Sequence, residues 1–86
     1  MEKFEIVKAK DDFLKRLEAV KKVIDYDNIQ EKINKLETLM VADDFWTNQT
    51  LAAKIINESN ELKESLKTYL KLKSMLEEIT LVLELD

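Results

Sequence analysis

Apolar residues recur every three or four positions along the first quarter of the chain. This is the spacing of one face of an α-helix, and at about 100° per residue the apolar positions fall within a stripe roughly 80° wide. The stripe consists of Ile6, Ala9, Phe13, Leu17, Val20 and Ile24. The pattern predicts an amphipathic helix over about residues 3–24.

A short polar segment at residues 25–28 interrupts the apolar pattern. It contains Asp and Asn, whose short side chains are good caps for the start of a helix. The stripe then restarts at Ile29, Ile33, Leu36 and Met40. This spacing predicts a second helix over about residues 27–41. Since the interruption contains neither Gly nor Pro, both a kink and a true corner are compatible with it.

A second interruption follows and contains the adjacent residues Phe45 and Trp46, which cannot both face one core stripe of a continuing helix. Asp44 or Thr47 is expected to cap the helix that follows, over about residues 48–84. Its stripe consists of Ile55, Ser59, Leu62, Leu66, Tyr69, Leu72, Leu76, Ile79 and Leu83.

These segments predict an all-α fold, an elongated antiparallel three-helix bundle with coiled-coil-like packing and one long C-terminal helix. The first two helices together are about as long as the third, so we expect them to lie in series against it. Residues 1–86 would form one helical domain. Such a rod has a thin core, and Leu70, Leu81 and Leu85 fall away from the main stripe. A partner or self-association is therefore expected.

The composition removes most catalytic functions, because the 86 residues include no Gly, Pro, Cys or His. Without Gly there is no phosphate-binding loop, and without Cys or His there is no thiol nucleophile, imidazole base or ordinary zinc site. Adjacent carboxylates such as Asp11 and Asp12 point about 100° apart on a helix, so they do not converge. We therefore predict a protein that is not an enzyme and that uses no cofactor, metal ion or small-molecule substrate.

The net charge of −4 argues against general polyanion binding. No stretch approaches the roughly 20 apolar residues of a membrane span. Lysines nevertheless align along two helix faces. Each face is either a solvated surface or a contact with phosphate or with an acidic protein surface. These candidate partner contacts are Lys8, Lys15 and Lys22 on the first helix and Lys63, Lys67 and Lys71 on the third.

The two interruptions are the candidate structural corners of the fold. Their key residues are Asp25, Tyr26, Asp27, Phe45 and Trp46. The aromatic pair has two interpretations. It is either a plug that closes the end of the bundle or an anchor for a partner, since Trp is enriched in such anchors.

A set of residues at and after the corners carries a family resemblance. It comprises Asp25-Tyr26-Asp27, Ile29, Ile33, Leu36, Asp43-Asp44-Phe45-Trp46, Gln49, Ala52, Ala53, Leu62-Lys63, Tyr69 and Leu76-Glu77-Glu78. With these residues the chain resembles the N-terminal helical domain of bacterial peptide chain release factor 2, well over about residues 20–86 and loosely over the first helix. Ala42 departs from the family, since many members have Pro there, and this leaves the shape of the turn open.

The resemblance implies that the chain is part of a longer cytoplasmic factor that acts in translation termination at UGA and UAA codons. Complete factors carry a Gly-Gly-Gln motif for peptidyl-tRNA hydrolysis and a Ser-Pro-Phe-type motif that reads the stop codon. The implied role of this domain is non-catalytic docking on the stalk base of the large ribosomal subunit, near ribosomal protein L11 and its rRNA. The alternative left open by the residues is a free-standing helical adaptor or a homodimeric coiled-coil protein.

Overall fold

The computed structural model describes residues 2–85, and most of them lie in three helices. Helix α1 spans Lys3–Val23, α2 spans Tyr26–Met40 and α3 spans Gln49–Leu85, with a 3₁₀ turn at Phe45–Thr47 before α3. Each helix bound lies within one residue of the bound expected from the apolar pattern. The described residues contain no strand, and the predicted all-α fold is confirmed.

Helices α1 and α2 lie in series along α3, and both pack more extensively on α3 than on each other. Residue numbers rise along the first two helices as they fall along α3, so the packing is antiparallel. The facing pairs are Ile6 and Leu83, Tyr26 and Tyr69, and Glu37 and Lys63. The result is a rod of 60 × 20 × 19 Å. Its length is close to the roughly 55 Å expected of a helix as long as α3 at about 1.5 Å per residue.

The buried face of α3 has the spacing of a coiled coil, with a change of register after Tyr69. Its central positions are Ala52, Ile55, Ser59, Leu62, Leu66, Tyr69, Leu72, Leu76 and Leu83, and Ile56, Ser65 and Thr80 are half-buried beside them. Steps of three and four alternate up to Tyr69, as in a heptad repeat. The next step is again three, so the face passes through Leu72 and leaves Lys73 exposed. The shift falls where Tyr26 packs on Tyr69, close to the junction of α1 and α2.

Two residues of the predicted stripes lie outside the core. Ala9 is exposed, and Ile79 is exposed along one side of an open groove. Both lie towards the end of the rod where α1 begins and α3 ends, and grooves stay open there on both sides of the helix pair. Periodicity identifies the apolar face of each helix, but it does not show how far the partner helix covers that face.

Candidate functional site

The first corner is a two-residue break, Ile24 and Asp25, in which Asp25 adopts a left-handed backbone conformation with φ 55° and ψ 55°. The Asp25 N–H donates to the Lys22 carbonyl at 3.1 Å, and the Asn28 N–H donates to the Asp25 carbonyl at 2.9 Å. Gly is the usual residue here, because a Cβ costs about 1–2 kcal/mol in the left-handed region. Ile24 thus ends α1 and Asp25 starts α2, and the interruption is a short kink between two helices in series.

The carboxylate of Asp25 offsets part of this backbone cost. Its Oδ2 accepts a hydrogen bond from Lys32 Nζ at 2.9 Å, and its Oδ1 accepts one from Asn28 Nδ2 at 3.0 Å. The hydrogen bond from Lys32, and after it the one from Asn28, holds the pKa of Asp25 below its ordinary value of 3.8. Asp27 is exposed in the first turn of α2, where a negative charge is favourable to the helix.

Tyr26 attaches the kink to α3. Its ring centroid lies 4.8 Å from that of Tyr69 at an interplanar angle of 47°, and Lys21 Nζ lies 5.5 Å from the Tyr26 centroid. Tyr69 forms the main buried cluster with Leu17 and Leu76. The first corner is therefore held by a carboxylate on one side and by an aromatic contact with the core on the other.

The second corner separates its two aromatic residues. Phe45 is 8% exposed and belongs to the core, whereas Trp46 is 66% exposed. Their rings meet edge to face, with centroids 4.8 Å apart and an interplanar angle of 83°. The plug interpretation therefore describes Phe45. It does not describe Trp46, most of which remains accessible to a partner.

The residue that caps α3 is Asn48, so the expectation of Asp44 or Thr47 was wrong. Asn48 Oδ1 accepts the Leu51 N–H at 3.1 Å and satisfies one backbone donor that the start of a helix leaves free. The Thr47 hydroxyl instead donates to the Asp44 carbonyl at 2.6 Å and closes the 3₁₀ turn. All three residue types are good caps, so the backbone path of the turn decides between them.

The six candidate lysines are all exposed, but their electrostatic surroundings differ. Lys63 Nζ lies 3.3 Å from Glu37 of α2, which compensates part of its charge. Lys71 has no carboxylate three or four residues away on α3, and Lys67 has only Glu64, three residues away. By contrast, two or more carboxylates stand three or four residues from each of Lys8, Lys15 and Lys22. The lysine face of α3 is thus the more positive of the two faces.

The remaining surface of residues 2–85 has features suited to binding a partner and no group of residues arranged as a metal site. Among residues 2–85, no group of three or more His, Cys, Asp or Glu side chains is placed to hold a metal ion. None of the helices in this range combines the length and apolar character that a membrane crossing requires. The features that stand out are the exposed Trp46 at one end of the rod and the lysine face of α3.

Curated relatives of this chain carry the name peptide chain release factor 2. The relative from Staphylococcus haemolyticus is 31% identical over 85 residues, which is 99% of this chain and 23% of the relative. That from Petrotoga mobilis is 30% identical over 76 residues, 88% of this chain and 21% of the relative. That from Listeria monocytogenes is 37% identical over 62 residues, 72% of this chain and 17% of the relative. No protein-family model and no solved structure matches the chain.

The class of proteins that the chain resembles is therefore the bacterial translation release factors. Within that class the resemblance is to the N-terminal helical domain of release factor 2. This confirms the family resemblance that was inferred from the residues at and after the two corners. The chain spans about a fifth of the length of the curated relatives that it matches.

Replacing Phe45 and Trp46 separately with Ala distinguishes the plug from the exposed side chain. Phe45→Ala should lower the free energy of unfolding by about 3 kcal/mol, because it empties a buried aromatic site. Trp46→Ala should lower it by less than about 1 kcal/mol, because most of the indole is already in water. Urea denaturation followed by far-ultraviolet circular dichroism measures both changes. Equal losses in the two variants would contradict this division of roles.

Acid should weaken the first corner, because the pKa of Asp25 is lowered in the folded state. The stability that this carboxylate contributes is present above its ordinary pKa of 3.8 and is lost as the pH falls through the lower folded-state value. Lys32→Met should flatten this loss, since it removes the main hydrogen bond that favours the charged form.

The measurement is urea denaturation over a series of pH values from neutral to strongly acidic. Lys35→Met is the matched control, because Lys35 also pairs with a carboxylate of α2, that of Glu31 at 3.4 Å. If both variants lose stability with the same pH dependence, the ion pair of Asp25 has no special part in acid unfolding.

Proposed function

We propose that the chain is a non-catalytic domain of a type 2 translation release factor, and that it helps to dock the factor on the large ribosomal subunit. The observation that carries this proposal is the match to release factor 2 over as much as 99% of the chain. Because the match takes in only about a fifth of each relative, stop-codon reading and peptide release are assigned to the rest of the factor. A chain without Gly or Pro contains neither the Gly-Gly-Gln nor the Ser-Pro-Phe-type motif.

The shape of the chain supports a contact role. A rod 60 Å long and about two helices thick has little interior in which to build a reaction site, but it has long accessible faces. In the proposed arrangement the rod reaches the stalk base, near ribosomal protein L11 and its rRNA, in the cytoplasm. The lysine face of α3 is the preferred contact with rRNA, because Lys67 and Lys71 have fewer carboxylates three or four residues away than the α1 lysines have. The α1 lysines are the second choice.

Charge reversal of the α3 face tests the proposal. The triple variant with Lys63, Lys67 and Lys71 replaced by Glu should bind isolated large ribosomal subunits at least about ten times more weakly at low salt. If these lysines bind phosphates, the dependence of the association constant on salt should also become shallower, by about one unit of logarithmic slope for each phosphate that is no longer bound. Sedimentation of the labelled chain with subunits measures both quantities.

Two control variants make this result interpretable. Lys67→Glu with Lys71→Glu leaves the ion pair between Lys63 and Glu37 intact, so weaker binding by this double variant cannot come from loss of that pair. Reversal of Lys8, Lys15 and Lys22 carries the same charge change on the other face. An unchanged association constant in the α3 variants would remove this face from the contact surface.

A second candidate function is self-association, and one specific observation favours it. Met75, Ile79 and Val82 line an apolar groove of about 650 Å³ beside Ile6, near the end of α3. In this alternative a second copy of the chain would cover the groove. Sedimentation equilibrium at micromolar concentration should then show a dimer that Val82→Glu dissociates, whereas a strictly monomeric chain would rule the alternative out.

A further inference from the structure

The end of the rod that joins α2 to α3 combines negative charge with an exposed indole. Residues 36–53 include no Lys or Arg and three carboxylates, of which Glu37 is paired with Lys63 and Asp43 and Asp44 are exposed in the loop. We call residues 41–51 the tip. Its exposed side chains include Asp43 and Asp44 together with Trp46 and Val41, which is 80% exposed. The tip is thus both acidic and apolar, whereas the α3 lysine face is basic.

Trp46 is held in place at the tip although little of it is buried. Its ring rests edge to face on Phe45, which is itself anchored in the core. The Thr47 N–H and hydroxyl both donate to the Asp44 carbonyl, at 3.1 Å and 2.6 Å, and fix the turn that carries the indole. A preorganised aromatic side chain loses little conformational freedom on binding, which is a property of residues that dominate interfaces.

The charge of the tip selects the kind of surface that it can meet. Two neighbouring carboxylates repel the phosphates of a nucleic acid, whereas they attract Lys and Arg side chains. The face of an indole also attracts ammonium and guanidinium groups. We infer that the tip docks on a Lys- and Arg-rich protein surface, with Trp46 covered at its centre and Asp43 and Asp44 paired with cations. This inference rests on the proposed ribosome docking and assigns the tip to a ribosomal protein rather than to rRNA.

Site-specific photo-crosslinking identifies what the tip touches. A benzophenone amino acid is incorporated in place of Trp46, and the full 86-residue chain is irradiated with isolated large ribosomal subunits. The matched control carries the same group in place of Val23, which is 84% exposed near the α1–α2 kink. The expected product is a protein adduct from position 46 that survives ribonuclease and contains a Lys- and Arg-rich peptide. Position 23 should give several times less of it.

Charge neutralisation at the tip provides the second arm of the experiment. The double variant Asp43→Asn and Asp44→Asn should bind subunits about ten times more weakly at low salt, with the difference vanishing at high salt. Neither the turn nor the cap of α3 uses these two carboxylates, since Asp44 contributes its backbone carbonyl and Asn48 its amide. Glu77→Gln with Glu78→Gln, an exposed pair near the other end of α3, is the control and should bind like the parent chain.

The outcomes separate this inference from the function on which it rests. An adduct with rRNA from position 46, or bound subunits without any adduct from that position, would overturn the inference and leave ribosome docking intact. Asn variants that bind as tightly as the parent chain would also overturn it. If the parent chain does not bind the subunits at all, both the proposed function and the inference fail.

Discussion

The packing of α1 and α2 on a single long helix is the interaction on which the rest of the structure depends. The two shorter helices contact α3 more extensively than they contact each other, so each buries its apolar stripe mainly against the same helix. Tyr69 and Leu76 of α3 meet Leu17 of α1 in a buried apolar cluster. The register shift after Tyr69 falls where Tyr26 leads α2 onto α3. The kink at Asp25 therefore lies close to the point where the buried face of α3 changes register, so that α1 and α2 each pack on an apolar part of α3.

Both corners are built without Gly or Pro, and each uses a different substitute. At the first, a carboxylate with two hydrogen-bond partners holds Asp25 in a conformation that Gly would adopt more easily. At the second, a 3₁₀ turn closes on the Asp44 carbonyl, and Asn48 caps α3. The 3₁₀ turn buries Phe45 and leaves its neighbour Trp46 in water. The turn that buries Phe45 thus leaves an exposed aromatic side chain beside it.

The surface of the rod has an acidic region and a basic region at different places. The tip is acidic and carries Trp46, while the α3 face carries Lys63, Lys67 and Lys71. A docking element that meets both protein and RNA benefits from such a division, because each kind of surface then repels the wrong partner. The similarity to a fifth of release factor 2 agrees with the proposed docking role, since a docking element needs surface and orientation more than a catalytic centre.

The sequence by itself determined the three helices, their bounds within one residue and their arrangement in series. Apolar spacing records which face of each helix must be buried, and the helix lengths leave one economical way to pair those faces. Only the tertiary structure decided that Phe45 is buried and Trp46 exposed, that Asn48 is the cap, and that Asp25 is left-handed. These outcomes depend on the path of the backbone between helices, where several residue types are equally suitable. The pairing of Lys63 with Glu37 likewise follows from the register of α2 on α3, which no local pattern encodes.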